Sequence, residues 1–196
     1  MDRKSNLFII LLCLIMTSTS IYGQLNVQAG VNNSSISFSI EGLSIETSSL
    51  IGFHAGVNYQ NKIGNSIYLT PGLIFSQKGA SFDFSFGGTS EESKLKMSYV
   101  DIPVMIKYQS NPEKGFFAEG GPYFGILLSA DADGEDVKED FSSLDIGIGA
   151  GVGYDLGQFL IGVRYNIGLT DLNADPGEEE GSATLTVLQL FGAYKF

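Results

Sequence analysis

Phe159-Leu-Ile-Gly-Val-Arg-Tyr-Asn-Ile-Gly-Leu-Thr170 alternates apolar side chains with mostly small or polar ones, and this alternation indicates the fold. Successive side chains of a β-strand point to opposite faces of the sheet, so every second residue shares a face. The apolar face holds Phe159, Ile161, Val163, Tyr165, Ile167 and Leu169. The other face is mostly small or polar and holds Leu160, Gly162, Arg164, Asn166, Gly168 and Thr170. This alternation predicts a strand with one face in an oily environment.

Eight segments of this kind follow residue 23 and predict eight strands, at 25–31, 50–60, 66–78, 97–109, 115–129, 145–155, 159–171 and 184–196. Short turns at 61–65, 110–114 and 156–158 alternate with long polar loops at 32–49, 79–96, 130–144 and 172–183. Outer-membrane barrels have short turns in the periplasm and long loops outside. The sequence therefore predicts an all-β fold, an eight-stranded antiparallel up-and-down transmembrane β-barrel with both termini periplasmic.

The N-terminus has the features of a secretory signal over residues 1–23. Arg3 and Lys4 precede an apolar core at 7–16, which is too short to span a bilayer of ~30 Å as a helix. We expect residues 24–196 to form one barrel domain in the outer membrane of a Gram-negative bacterium; the alternative is an uncleaved anchor. The only cysteine, Cys13, lies within the signal, so the mature barrel is expected to have no disulfide.

The chain is acidic, with a formal net charge of −11, which argues against a nucleic-acid partner. Most of its acidic residues lie in the four long loops, and we interpret them as a solvated surface whose self-repulsion extends the loops. The sharper hypothesis is that the loops bind a basic partner, or divalent cations shared with lipopolysaccharide. The weak candidates for cation ligands are Asp131, Asp133, Glu135 and Asp136, whose spacing is not that of an EF-hand.

Polar residues in the inward phase predict a filled interior. A barrel of ~8 strands is just wide enough for side chains to fill, and the many inward glycines leave room for the long side chains of Arg, Lys and Glu. We therefore expect no open pore. Because unpaired charges inside a barrel are costly, we predict a buried ion-pair network in the lumen from Asp101, Lys107, Glu119 and Arg164.

A group of aromatic residues shares the apolar phase and lies at strand ends next to the short turns or the C-terminus. Amphipathic rings prefer the boundary between lipid and water, so this group predicts the lower aromatic girdle of the barrel. Its members are Tyr59, Tyr108, Phe116, Tyr154, Phe159, Tyr194 and Phe196.

The sequence offers no constellation that favours catalysis. His54 is the only histidine, and its phase predicts that it faces the lumen, away from membrane lipid. No serine stands at a spacing that would pair with it, so a structural or hydrogen-bonding role is expected. The glycine run at 147–153 has a period of two and no following helix, unlike a phosphate loop. We expect no catalytic residue and no cofactor.

Several stretches resemble the PorT-like outer-membrane β-barrel family, often labelled a porin family. They are Leu69–Gly79, Tyr99–Tyr108, Gly115–Gly125, Asp145–Tyr154 and Phe191–Phe196. The resemblance covers nearly all of the expected mature chain. The family is similar in architecture to small OmpX- and OmpA-type barrels. It implies insertion by the barrel-assembly machinery, which reads a C-terminal aromatic residue preceded by alternating apolar residues. Gly192 departs from that alternation. Some relatives act in protein secretion.

Together these features predict a non-enzymatic outer-membrane barrel that acts in envelope integrity or surface interaction. Its expected partners are membrane lipid, lipopolysaccharide and a surface protein. One alternative is a soluble periplasmic, lipocalin-like barrel with its apolar face around a ligand. Its outer face would then be nearly bare glycine in the strand at 145–155, which is a poor soluble surface. Another alternative is an accessory component of protein secretion.

Overall fold

The computed structural model describes residues 23–40, 43–86, 89–173 and 181–196. The strands are β1 Gly23–Ile40, β2 Leu43–Glu46, β3 Ser48–Lys62, β4 Ile67–Phe86, β5 Thr89–Gln109, β6 Gly115–Ala132, β7 Glu135–Asp136, β8 Leu144–Asp155, β9 Phe159–Gly168 and β10 Gly181–Lys195. One turn of 3₁₀ helix spans Lys138–Asp140. Within these ranges no helix is long and apolar enough to cross a membrane. Residues 1–22 of the predicted signal lie outside the described residues.

The sheet closes on itself into an antiparallel barrel. Its strands follow the order β10-β9-β8-β6-β5-β4-β3-β1, and β1 pairs with β10 from Asn26↔Lys195 to Ile40↔Gly181. The two short strands lie outside this ring, β2 pairing with β1 and β7 with β6. The remaining eight strands form the wall. The predicted eight-stranded up-and-down barrel is therefore confirmed, and each predicted strand corresponds to one strand of the wall.

Two of the four predicted loops are wrong as loops. Most of 32–49 is strand, because β1 continues to Ile40 and β2 and β3 follow. Most of 79–96 is also strand, because β4 continues to Phe86 and pairs there with Thr89 of β5. The backbone of these stretches pairs with neighbouring strands, and the sequence keeps a period of two, as in Ile36-Ser-Phe38 and Phe82-Asp-Phe84. Their apolar residues fall in the inward phase, because Ile36, Phe38 and Phe82 pack together in the interior, whereas inward positions are mostly polar in the rest of these strands. The outward apolar pattern that marks the other strands is therefore absent here.

The two ends of the barrel differ, and we name them for their connections. The short-turn end carries the turns at 63–66, 110–114 and 156–158, together with residues 23 and 196. The long-loop end carries the extended strands, β7 and the 3₁₀ turn.

Apolar side chains cover the outside of the wall. Val163, Ile148 and Leu190 are 41%, 53% and 56% exposed, and the alternating pattern of burial in β9 is strict. Inward positions hold the polar residues of the same strands, such as the buried Arg164 and Asn166. The lipocalin-like alternative, with apolar side chains around a central ligand, is therefore wrong, since these side chains point away from the centre.

The interior changes character along the barrel. At the long-loop end it is filled by an apolar cluster that we call the apolar cap: Ile36, Ala80, Leu95, Met97, Tyr99, Leu127, Ala130, Leu172, Ala183, Leu185 and Val187. Partly buried rings and side chains from the loops, Phe141 and Val137 among them, pack against it. Below the cap the interior is polar and charged, and this region positions the residues described next.

Candidate functional site

A row of glycines in β8 makes room for the charged interior. Between the inward Asp145 and Asp155, the inward positions of this strand are Gly147, Gly149, Gly151 and Gly153. A Cβ atom added at Gly153 would collide with the ring of Phe117, and one added at Gly147 would collide with the ring of Tyr123. Side chains from neighbouring strands therefore occupy the space that β8 leaves empty.

The centre of the lumen holds an ion pair laid across this row. Gly151 is in register with Glu119 of β6 on one side and with Arg164 of β9 on the other. Arg164 Nη2 and Nε donate to Glu119 Oε1 at 2.6 and 2.8 Å. The guanidinium also lies over the ring of Phe191, 4.9 Å from its centroid. The predicted lumen residues Glu119 and Arg164 are thus in direct contact, and both side chains are buried.

A hydrogen-bonded chain extends from Arg164 across the seam where β10 meets β1. Arg164 Nη1 donates to Gln189 Oε1 at 3.4 Å, and Gln189 Nε2 donates to Asn32 Oδ1 at 3.1 Å. Asn32 Nδ2 donates to Ser76 Oγ at 3.0 Å. His54 is fully buried, and its Nδ1 lies 2.7 Å from Asn32 Oδ1, so Nδ1 carries the proton of that bond. The histidine contacts an amide rather than a serine or a carboxylate.

The other two residues of the predicted lumen network are placed differently from the prediction. Lys107 donates to Gln60 Oε1, and its ammonium lies over the rings of Phe117 and Tyr68. Asp101 accepts from Lys78 at 2.8 Å and belongs to a separate cluster nearer the long-loop end. The prediction that Lys107 or Asp101 forms an ion pair with Glu119 and Arg164 is wrong. Asp101 lies at a different height in the lumen, and Lys107, although in register with Glu119, donates to Gln60 instead.

The cluster around Lys78 is a second buried charged group of the barrel. Its ammonium bridges Asp101 and Asp145, at 2.8 and 3.4 Å, and lies 4.8 and 5.0 Å from the ring centroids of Tyr99 and Tyr123. The Tyr123 hydroxyl donates to Asp145 Oδ1 at 3.3 Å. The sequence analysis did not select Lys78 or Asp145. The sequence does contain a signal for Lys78, because it lies two residues from Ser76 on β4 and therefore shares the inward face of that strand.

A third ion pair closes the lumen at the short-turn end. Lys195 Nζ donates to both carboxylate oxygens of Asp155, at 2.7 and 2.6 Å, and both side chains are buried. Asp155 Oδ1 also accepts from the backbone N–H of Gly157 at 2.8 Å. The C-terminal strand is thereby fixed to the β8–β9 turn.

Little free space remains between these layers. A cavity of about 20 Å³ lies in the polar region, bounded by Asn26, Gln28, Thr70, Lys107 and Arg164 among others. This volume suits about one water molecule. Asn26 Oδ1, Gln28 Nε2 and Thr70 Oγ1 are buried and have no hydrogen-bond partner among the described protein groups. The lumen is a packed polar core rather than a continuous channel.

The predicted girdle residues all lie near the short-turn end. Tyr59, Tyr108, Phe116, Phe159 and Phe196 are exposed. Phe116 packs edge-on against Tyr154 with ring centroids 4.9 Å apart, and Tyr194 lies between Phe159 and Phe196 at 5.1 and 4.8 Å. Gln158 Nε2 donates to the Tyr194 hydroxyl at 2.6 Å. These rings therefore form clusters on the outer wall at one height.

The candidate cation ligands lie in a tight hairpin at the long-loop end. Asp131 pairs in register with Asp136, and Asp133 adopts φ +52° at the turn between them. Asp133 accepts from the Ser93 hydroxyl at 2.6 Å and from the Lys94 N–H at 3.0 Å, and these bonds lower the pKa of its carboxyl group. Asp131 accepts from the Gly134 N–H. In the described part of the chain no three His, Cys, Asp or Glu residues are grouped to hold a metal ion, Glu135 included.

The chain is similar in sequence to one protein family and similar in fold to several solved structures. The family described as "outer membrane protein beta-barrel domain" matches residues 18–173. No curated protein matches the chain.

Among solved structures, Ail of Yersinia pestis, in complex with the heparin analogue sucrose octasulfate, has a TM-score of 0.52 and 16% identity, covering 89% of this chain and 99% of Ail. OprG of Pseudomonas aeruginosa has a TM-score of 0.52 and 12% identity, covering 89% of this chain and 96% of OprG. At these identities the likeness shows the fold alone.

Proposed function

The chain belongs to the outer membrane protein β-barrel family, and we propose that it is a closed, non-enzymatic barrel of the Gram-negative outer membrane, with a role in envelope integrity or surface interaction. The observation that carries the proposal is the contrast between its two faces. Apolar side chains cover the outside of the wall, while three buried ion pairs or clusters fill the inside. A barrel with this contrast is stable where lipid surrounds it.

The orientation is part of the proposal. The short-turn end faces the periplasm and the long-loop end faces the outside, as in other barrels with unequal connections. The rings around Phe116 and Tyr194 then lie at the periplasmic boundary of the bilayer. The resemblance to PorT-like barrels supports a finer assignment within the family.

The filled lumen supports a role other than diffusion or catalysis. The Glu119–Arg164 pair and the Lys78 cluster lie across the barrel, and the apolar cap covers them. The buried His54 is out of reach of membrane lipid. The long-loop end is therefore the part of the molecule that meets other molecules.

The charge of that end favours a cationic partner. The hairpin and the 3₁₀ turn between β6 and β8 carry Asp133, Glu135, Asp136, Glu139 and Asp140, all of them outside the barrel wall. Ail is described with a polyanionic heparin analogue, which this surface would repel. We propose divalent cations shared with lipopolysaccharide, or a basic protein, as its partner.

Orientation is tested by cysteine labelling, because the only native cysteine lies in the predicted signal. Whole cells that produce Glu135→Cys or Gln158→Cys are treated with a membrane-impermeant maleimide. Glu135→Cys is expected to react on intact cells, and Gln158→Cys only after the outer membrane is opened. Outer-membrane fractionation and heat-modifiable migration accompany the labelling. Recovery in the soluble periplasm, or the reverse labelling pattern, contradicts the proposal.

Function is tested in a strain that lacks the protein. Loss of the barrel is expected to raise sensitivity to detergent with a chelator, and the wild-type gene is expected to restore resistance. A variant with Glu135→Gln, Asp136→Asn, Glu139→Gln and Asp140→Asn is expected to restore it poorly. Glu113→Gln at the opposite end is the matched control. Full rescue by the loop variant would exclude the acidic loops from the role.

A further inference from the structure

The outer wall carries two apolar depressions that form one groove. The lower depression, of about 350 Å³, is lined by Phe116, Tyr154, Ile161 and Leu190 together with Val152 and Val163. The upper depression, of about 400 Å³, is lined by Ala118, Ala150, Tyr165 and Leu188 with the same two valines. Val152 and Val163 are paired in register and border both depressions, so the two adjoin at this pair. Both are open to the surroundings of the wall, and together they are called the groove.

The groove exists because small outward residues are surrounded by large ones. Ala118 lies in register with Val152, and Ala150 lies in register with Gly120 and Tyr165. Gly120 also points outward into open space, since a Cβ there would meet only a backbone oxygen at 3.5 Å. Phe116 and Tyr154 form a raised aromatic edge at the lower end.

The groove covers about two thirds of the thickness of one leaflet. Tyr154 and Ala150 are four residues apart on β8, which corresponds to about 13 Å along the strand, or about 10 Å along the bilayer normal for a strand tilted by about 40°. One leaflet of the hydrocarbon core is about 15 Å thick. The groove also begins at the height of the aromatic rings, where the hydrocarbon meets the interface.

A lysine lies just beyond the lower end of the groove. The Cε atom of Lys114 is 3.2 Å from the point that a Cβ on Gly157 would occupy, so this exposed side chain leans over the β8–β9 turn. The neighbouring Glu113 approaches the same glycine through its backbone oxygen. The carboxylate of that turn, Asp155, is already paired with the buried Lys195. An ammonium group is thus placed where a lipid phosphate would lie.

We propose that this groove is a binding site for one anionic glycerophospholipid of the periplasmic leaflet, with an acyl chain along Val152 and Val163 and its phosphate at Lys114. The inference rests on the proposed function, because it needs the barrel to be in a membrane with its short-turn end in the periplasm. An anionic lipid fits the site better than a second copy of this acidic chain does, since Lys114 places a cation beside an apolar floor.

The test uses the folded protein purified from outer membranes in detergent. Native mass spectrometry measures retained lipid while phosphatidylglycerol or phosphatidylcholine is added. The wild type is expected to retain one phosphatidylglycerol. Val163→Phe is expected to weaken retention by about tenfold, because its ring excludes about two methylene groups of the chain. Val57→Phe is the matched control, since Val57 is 40% exposed on β3 and Val163 is 41% exposed on β9.

Lys114→Gln is expected to bind both lipids equally. Equal retention by wild type and Val163→Phe, or equal loss in Val57→Phe, would overturn the groove as the site. A wild-type dimer that Val163→Phe dissociates would also overturn it, because the occupant would then be a second copy. Failure of the protein to fractionate with the outer membrane would instead refute the proposed function.

Discussion

At the scale of single residues, the lumen is organised by charges that reach across glycines. Gly125 lies in register between Asp101 and Asp145, as Gly151 lies between Glu119 and Arg164. Glu119 and Arg164 form an ion pair over Gly151. Asp101 and Asp145, on either side of Gly125, both bind the ammonium group of Lys78. Lys78 joins the first row from β4, although it pairs in register with Met97, four residues from Asp101. Its long arm makes this diagonal contact.

Replacing Lys78 tests the strength of this cluster. Lys78→Met leaves Asp101 and Asp145 buried without a cation, so we expect a loss of about 3–5 kcal/mol in the free energy of unfolding. Lys96→Met, at an exposed position of β5, is the control and should change it by no more than about 0.5 kcal/mol. Urea unfolding of the detergent-folded protein, followed by heat-modifiable migration, measures both. Equal midpoints for the two variants would show that the buried charges are not coupled.

At the scale of elements, the inward glycines of β8 and the hairpin between β6 and β7 show two different uses of local structure. The glycines give up side-chain packing so that Phe117, Tyr123 and Arg164 can fill the lumen. The hairpin instead uses side-chain hydrogen bonds to hold a left-handed turn at Asp133 and Gly134. The packing over the β8 glycines depends on side chains from several strands of the barrel. The hairpin turn is held mostly by hydrogen bonds to one neighbouring strand, β5.

Adding one methyl group to β8 tests the first of these uses. Gly153→Ala places a Cβ against the backbone oxygen of Ile161 and the ring of Phe117, and it is expected to destabilise the barrel by about 1–3 kcal/mol. Gly192→Ala is the same substitution at an outward position with open space, and it should be neutral or slightly stabilising. Urea midpoints compare the two. A Gly153→Ala barrel as stable as Gly192→Ala would show that the Ile161 backbone and the Phe117 ring both give way at little cost.

The hairpin is expected to loosen in acid. Hydrogen bonds from the Ser93 hydroxyl and the Lys94 N–H hold the pKa of Asp133 below its usual 3.8. A depressed pKa in the folded state gives a stabilisation that is complete above the unfolded value and is lost as the pH falls through the folded value. The protection factor of the Lys94 amide, which corrects for the pH dependence of intrinsic exchange, should therefore fall only below pH 3.8. In Asp133→Ala the protection factor should already be low at neutral pH; an unchanged wild-type-like profile would contradict the role of these bonds.

At the scale of the whole molecule, closure and filling depend on each other. The chain Arg164–Gln189–Asn32–Ser76 spans the junction of the first and last strands of the wall, so the network that fills the lumen also joins β1 to β10. The apolar cap then covers the charged layers at the long-loop end, and the Lys195–Asp155 pair covers them at the other.

This filling predicts electrical silence. With about 20 Å³ free among the central polar residues, wild-type protein in planar bilayers should show no steady conductance steps. Arg164→Ala removes the side chain that crosses the lumen beside this cavity and is expected to give rare, brief events. Tyr165→Ala, its outward neighbour on β9, serves as the control and should stay silent. Large, steady conductance steps from the wild type would show that the side chains in the lumen move aside to form a channel.

The amino-acid pattern alone established which face of each strand points outward and how many strands form the wall. Both are written in a period of two that local geometry imposes, as in Phe159–Thr170 and in the glycines of β8. It also determined that Glu119 and Arg164 are buried, since their phase points inward. Which charges meet depends on the three-dimensional fold, because contacts across the lumen follow from the stagger of strands far apart in the chain. Asp101 pairs with Lys78 for this reason. The extensions of β1 and β4 keep a period of two, but their apolar residues point inward, so the outward apolar pattern does not reveal them as strands.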